Sequence, residues 1–143
     1  MKKKDVKFNE KEGVFEIGPS HGLNDSGKRE QFASGMVREP NLFRGRFDLI
    51  PPIAMRKLAV HYERGALKYS DRNWEKGGPL SRHLNSAISH LQKFLEGNRT
   101  EDHLSACTFN VFAIQHNLEM IERGKMPKKL NDLPSYVVEE EER

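Results

Sequence analysis

The residues best suited to chemistry lie in one short run, Lys68-Tyr69-Ser70-Asp71-Arg72-Asn73-Trp74, with Lys76 just beyond it. The run holds the only tryptophan, and its flanks, Gly65 and Gly77-Gly78-Pro79, read as loop boundaries. An aromatic ring beside guanidinium and ammonium groups suits a nucleobase that carries phosphates. The ring stacks on the base, and the guanidinium forks onto phosphate oxygens. On that chemistry Lys68 and Arg72 bind phosphate and Tyr69 or Trp74 holds the base, with Asn73 alongside. The same residues also fit a plain structural role in which Trp74 and Tyr69 anchor the loop to the core. A polar loop between periodic helices is nonetheless where binding groups concentrate.

A second feature is polar residues recurring along otherwise apolar stretches. His103, Asn110 and Asn117 repeat every seven residues, as do His83 and His90. On a helix each lies only about 20° around from the one before. If the two helices pack antiparallel, the stripes face each other. Two imidazoles with Asp102 or Glu101 then offer ligands for a transition metal. Imidazole, carboxylate and water manage a proton transfer equally well without one. So does a carboxylate-activated water with Mg²⁺ brought by the phosphates. His90, Asp102 and His103 are the candidate catalytic residues, and Glu101, Asp102 and His103 the candidate metal ligands. A divalent cation (Mg²⁺, Mn²⁺ or Co²⁺) is the expected cofactor. No G-x-x-x-x-G-K-S/T loop, G-x-G-x-x-G, G-x-S-x-G or H-E-x-x-H occurs. The single Cys107 sits in an apolar run and excludes an internal disulfide.

Positioning these residues requires helices. Pro51-Pro52 starts a first helix that stops at Gly65, with Ala54, Leu58 and Tyr62 as its apolar stripe. A second runs from Pro79–Ser81 to Gly97, with Leu84, Ala87, Ile88, Leu91 and Leu95 at helical spacing. A third has Thr100 as N-cap, Glu101 and Asp102 in its first turn, and Gly124 as its stop. It is apolar on two sides, through Leu104, Cys107, Val111, Leu118 and Ile121, and through Phe109, Phe112, Ala113 and Met120. A helix apolar on two faces must be covered twice. In so short a chain the second cover is another protomer, so a homodimer or higher homo-oligomer is expected.

Residues 1–43 are too glycine-rich for long helices and read as a loop-rich arm, with a short hairpin across Val6 to Ile17. Residues 44–124 form the helical domain. Residues 125–143 are a polar tail ending in Val137-Val138-Glu139-Glu140-Glu141-Glu142. The fold class is mainly α, a small three- to four-helix core. A net charge of +3, with most of the excess before residue 48, excludes duplex nucleic acid as a partner and fits one polyanionic small molecule. No run of about 18 apolar residues is available to span a membrane. Lys2-Lys3-Lys4 is followed by polar residues, not the apolar core of a signal peptide, so a cytoplasmic location is expected.

The runs Arg46-Phe47-Asp48-Leu49-Ile50-Pro51-Pro52, Gly65-Ala66-Leu67-Lys68-Tyr69 and Arg72-Asn73-Trp74-Glu75-Lys76-Gly77 are followed by Arg82, His90-Leu91, Glu101-Asp102-His103-Leu104 and Asn110. In order and spacing they resemble the phage family of dATP/dGTP diphosphohydrolase N-terminal domains, across about residues 44–123. The resemblance implies cleavage of a purine deoxynucleoside triphosphate to monophosphate and pyrophosphate in the host bacterial cytoplasm. It adds Arg82 and Asn110 to the nucleotide-binding set. At greater distance the all-α MazG-like pyrophosphohydrolases are similar, but they hold Mg²⁺ with E-x-x-E and E-x-x-D pairs. Within the helical segment only Glu119 and Glu122 have that spacing, near a helix end. The departure favours a His/Asp-based site, or a protein that captures a nucleotide without cleaving it.

Overall fold

The computed structural model describes residues 6–9, 14–17, 27–41 and 43–136, the first two stretches by backbone alone. It divides into two units, Met1–Phe47 and Asp48–Arg143. In the first, β1 (Val6–Asn9) pairs antiparallel with β2 (Val14–Ile17), Val6 opposite Ile17, as the alternation predicts. A second hairpin, β3 (Glu30–Gln31) with β4 (Val37–Arg38), lies where only loop is expected. Two residues per strand are too few to leave a period. The hairpin closes through Gly35, whose φ of +87° lets its N–H reach the Phe32 carbonyl at 2.8 Å.

The second unit is mainly α. It contains α1 (Pro52–Lys68), α2 (Leu80–Leu95) and α3 (His103–Glu122), with 3-10 turns at Asn73–Lys76 and Lys128–Leu130. Helix α1 begins at the expected proline but runs through Gly65 to Lys68. Gly65 keeps a negative φ, and an interior helical glycine costs only about 1 kcal/mol against alanine, too little to end a helix that packs elsewhere. Helices α2 and α3 stop as expected, at Gly97 and Gly124, which take φ of +84° and +69°. The Asn98 N–H returns to the Lys93 carbonyl and the Lys125 N–H to that of Met120, the double closure typical of a glycine stop. The start of α3 is displaced. Asp102, not Thr100, is the cap, accepting from the Ser105 N–H at 3.0 Å and the Ser105 hydroxyl at 2.6 Å.

Helices α2 and α3 form an antiparallel hairpin, because His83 meets Asn110 while His90, later in α2, meets the earlier His103. Helix α1 packs on α3 through Phe109, whose ring meets His61 and Tyr62 at 5.4 and 4.9 Å. The core between them is small: Leu58, Leu80, Ala87, Ala106, Cys107 and Ala113. The stripe with the clearest helical spacing is mostly outside it. Ala87 is buried, but Leu84, Ile88, Leu91 and Leu95 remain between 37% and 79% exposed. Periodicity reports that a helix has an apolar face, not which neighbour covers it.

The segment after α3 is also not simply a solvated tail. Met126 and Leu130 close on Gly77, where a Cβ would stand 3.1 Å from Leu130 Cδ1 and 3.2 Å from Met126 Sδ, at a φ of +79°. Asp132 accepts from the Ser81 N–H at 2.9 Å and the Ser81 hydroxyl at 2.5 Å, so it caps a helix whose own flanking residue, Pro79, offers no side-chain acceptor. Those bonds hold the Asp132 carboxyl below its usual range. The acidic run from Val137 lies outside the described residues.

Asn117 is fully buried on α3, and neither its Oδ1 nor its Nδ2 has a hydrogen-bond partner among the described residues. An unmade buried bond costs about 1–3 kcal/mol, so Asn117→Leu, which keeps the same branched heavy-atom skeleton, is expected to raise stability by up to about that amount. Urea denaturation of the two proteins checks it. A less stable variant would mean that the amide is paired in solution.

Candidate functional site

Helix α1 carries Lys57, His61, Arg64 and Lys68 at i, i+4, i+7 and i+11, a single face. That face lines a cleft of about 1200 Å³. Opposite it, α2 contributes His83, Ser86 and His90, and α3 with its approach contributes Glu101, Asp102 and Asn110. Ala106, Phe109, Tyr62 and Trp74 supply apolar lining, and the 68–74 loop closes one end.

The polar stripes meet as the sevenfold spacing predicts. His83 Nδ1 lies 3.1 Å from Asn110 Oδ1, while Asn110 Nδ2 donates to the Ala106 carbonyl at 2.8 Å and to Ser86 Oγ at 3.3 Å. Both amide hydrogens of Asn110 are thus spent, so His83 Nδ1 is the donor and Asn110 acts chiefly to orient it. One turn up the hairpin from Ser86, His90 Nδ1 lies 2.9 Å from His103 Nδ1. The Glu101 carboxylate sits 3.7 Å from the first nitrogen and 3.5 Å from the second. These three ligand atoms lie within 4.8 Å of one another and fit a divalent cation; among the described residues they form the only such group.

His61 stands on the opposite wall. Burial lowers its pKa, and the charges of Asp102 and Glu101 oppose that shift. Burial likewise lowers the pKa of His90, against the pull of Glu101. The Asp102 carboxyl is held low by its two bonds from Ser105, with Lys57 and His61 adding to the effect. Its oxygens serve the helix cap, so the structure gathers Glu101 and His103 with His90, not with Asp102.

The loop residues divide. Trp74 is half-buried, its ring edge-on to His116 at 4.9 Å and to Tyr62 at 6.3 Å, so it anchors the loop while lining the cleft. Tyr69 is 65% exposed beneath the Lys68 ammonium, 5.2 Å from its ring centroid, and is the more open of the two loop aromatics. Arg72 and Asn73 also line the cleft. Arg72 is the residue before the Asn73–Lys76 turn, at a φ of +58°, and its guanidinium is paired with Glu75. Arg82 is exposed on α2 outside the cleft lining, so it is not gathered with the others.

Four residues escape the sequence reading: Lys57, His61 and Arg64 in the cleft, and Asn98, whose Oδ1 lies 3.1 Å from His103 Nε2. The first three announce themselves through the same spacing used to find apolar stripes, applied to cations. Asn98 has no periodic signal, because it follows the glycine that ends α2.

Fold and site together define a mainly α protein whose cationic cleft faces a histidine–carboxylate cluster. No helix among the described residues is long and apolar enough to cross a membrane. The chain belongs to the dATP/dGTP diphosphohydrolase, N-terminal family, whose model matches residues 37–128. No curated protein and no solved structure matches it.

Proposed function

We propose that this chain cleaves a purine deoxynucleoside triphosphate to the monophosphate and pyrophosphate. The observation that carries this reading is the α1 stripe of Lys57, Arg64 and Lys68 facing a polar wall across a cleft wide enough for a nucleotide. The family description supplies the reaction class. Lys57, Arg64 and Lys68 neutralise the phosphate chain, and Tyr69 stacks on the base. Water attacks the α-phosphorus, a new P–O bond forms, the bond to the bridging oxygen breaks, and pyrophosphate leaves. His61 accepts the proton of that water. Glu101, which lines the cleft, would hold a divalent cation (Mg²⁺, Mn²⁺ or Co²⁺) brought by the phosphates, and the ion would supply charge neutralisation at the leaving group.

Incubation with dATP, dGTP and the ribonucleotides plus each cation, followed by ion-exchange chromatography, is expected to yield monophosphate and pyrophosphate in equal amounts. A ligand-dependent rise in melting temperature without products would replace hydrolysis by capture. Arg72→Ala is expected to weaken nucleotide binding by roughly 1–3 kcal/mol, because the guanidinium exchanges an exposed pairing with Glu75 for a charged phosphate. Unchanged affinity in calorimetry would remove Arg72 from the site.

A further inference from the structure

We infer that His90, Glu101 and His103 hold a resident transition-metal ion of the zinc, cobalt or nickel type, through the two Nδ1 atoms and one carboxylate oxygen. Asn98 supplies the decisive detail. Its Oδ1 accepts from the Thr100 N–H at 2.9 Å, from the Thr100 hydroxyl at 2.7 Å and from His103 Nε2 at 3.1 Å. Two of those donors fix the oxygen as an acceptor, so His103 Nε2 carries its hydrogen and Nδ1 presents a lone pair. That lone pair is directed at His90 Nδ1, 2.9 Å away. Glu101 Oε1 stands off at 3.5 and 3.7 Å, too far for a hydrogen bond to either ring. A hydrogen bond between the two histidines accounts for the first distance but leaves the carboxylate idle. Three ligands of one ion account for all three distances. Ligands about 2.0–2.1 Å from a tetrahedral zinc are roughly 3.3 Å apart, and the observed separations bracket that value.

The donor set selects the ion. Two imidazoles and one carboxylate suit zinc, cobalt or nickel, whereas Mg²⁺ and Ca²⁺ take oxygen ligands. Burial grades across the trio, with side-chain exposures of 1% for His103, 17% for His90 and 51% for Glu101, so the open coordination positions face outward. The inference rests on this geometry and not on the hydrolytic reading.

Elemental analysis of protein purified without an affinity tag is expected to find about one zinc, cobalt or nickel per chain. Stripped protein titrated with Co²⁺ is expected to develop visible absorption and a higher melting temperature. Asn98→Ala is expected to weaken Co²⁺ affinity about 10–100-fold, the range seen when a partner behind a metal-bound histidine is lost. His103 is buried and its loss could impair folding, so His90→Gln and Glu101→Gln provide the ligand test, each expected to abolish stoichiometric binding while helical circular dichroism persists. Co²⁺ binding that survives both variants, or affinity for Mg²⁺ alone, overturns the inference. Neither readout involves nucleotide turnover.

The far side of the same hairpin carries a second site. On α2, Leu84 and Leu91 lie about 100° and Ile88 and Leu95 about 140° around from His83 and His90, which meet α3; on α3, Leu104, Val111 and Leu118 lie about 100° from His103 and Asn110, which meet α2. Because the helices are antiparallel, these rotations bring both stripes to one side, opposite Phe109 and α1. The seven side chains are 37–79% exposed. They present on the order of 600 Å² of apolar surface per copy, at the top of the range for a monomer's largest patch and approaching the ~800 Å² each partner buries in a stable interface. The structure assigns this face to a second copy of the chain, two hairpins closing into a four-helix bundle. Light scattering at micromolar concentration is expected to give twice the 16.5 kDa of the chain. Ile88→Glu with Leu91→Glu, both exposed in one copy, is expected to give 16.5 kDa with unchanged circular dichroism. A monomeric parent, or a variant that stays dimeric, overturns the assignment.

Discussion

Lys57→Gln combined with Arg64→Gln is expected to weaken binding of a non-hydrolysable dGTP analogue by roughly 30- to 1000-fold, about 2–4 kcal/mol. Each side chain reaches the cleft from the same face of α1. A hydrogen bond to a charged group contributes about 1.5–3 kcal/mol, and solvent at these exposed positions reduces the sum. Glutamine keeps the helix propensity of both sites, so folding is expected to be undisturbed. The control removes the same charge elsewhere: Lys93 and Lys129 lie outside the cleft lining, and Lys93→Gln with Lys129→Gln is expected to leave affinity nearly unchanged. Calorimetry at two salt concentrations reads both pairs, and the loss should shrink at high salt, where the cations of the parent protein are screened. Equal losses in test and control would reduce the cleft to non-specific charge.

That experiment concerns residues the sequence states openly but that a search for apolar periods passes over. The stripes that face inward were legible because both members have polar side chains at sevenfold spacing: His83 and His90 on one helix, His103 and Asn110 on the other, each finding its partner. The helix stops at Gly97 and Gly124 were legible for a local reason, since only a positive φ closes those turns cheaply. Three-dimensional choices were not. Asp102 and Thr100 are both good caps in sequence, and the choice is made in the fold: Thr100 donates its N–H and hydroxyl to Asn98, while Asp102 accepts from Ser105. Asp132 caps α2 from a position 51 residues away, a contact without local trace. The Leu84–Leu95 stripe was legible as apolar, but what it faces was not, because only packing shows that α3 meets the neighbouring face.

Leu80→Ala is expected to be the costliest single change in the helical unit, lowering stability by about 2–5 kcal/mol. Leu80 is fully buried, and Leu58 is the only other leucine in the buried core of the described residues. With so few large apolar groups inside, the alanine cavity has little around it that can collapse inward. A loss of that size is a large share of the 5–15 kcal/mol typical of a domain. It also falls at the first residue of α2, beside Ser81 with its Asp132 cap and three residues before His83, so the cleft wall loosens with the core. Urea denaturation at two protein concentrations separates this effect from pairing of copies. The Leu80→Ala loss should be the same at both, since the side chain is buried within one chain. Ile88→Ala, at 58% exposed, should cost little in dilute protein and more as concentration rises. A concentration-dependent Leu80 effect would mean that the hairpin is folded only when paired, and a small one would mean that α2 is held by its polar contacts to α3.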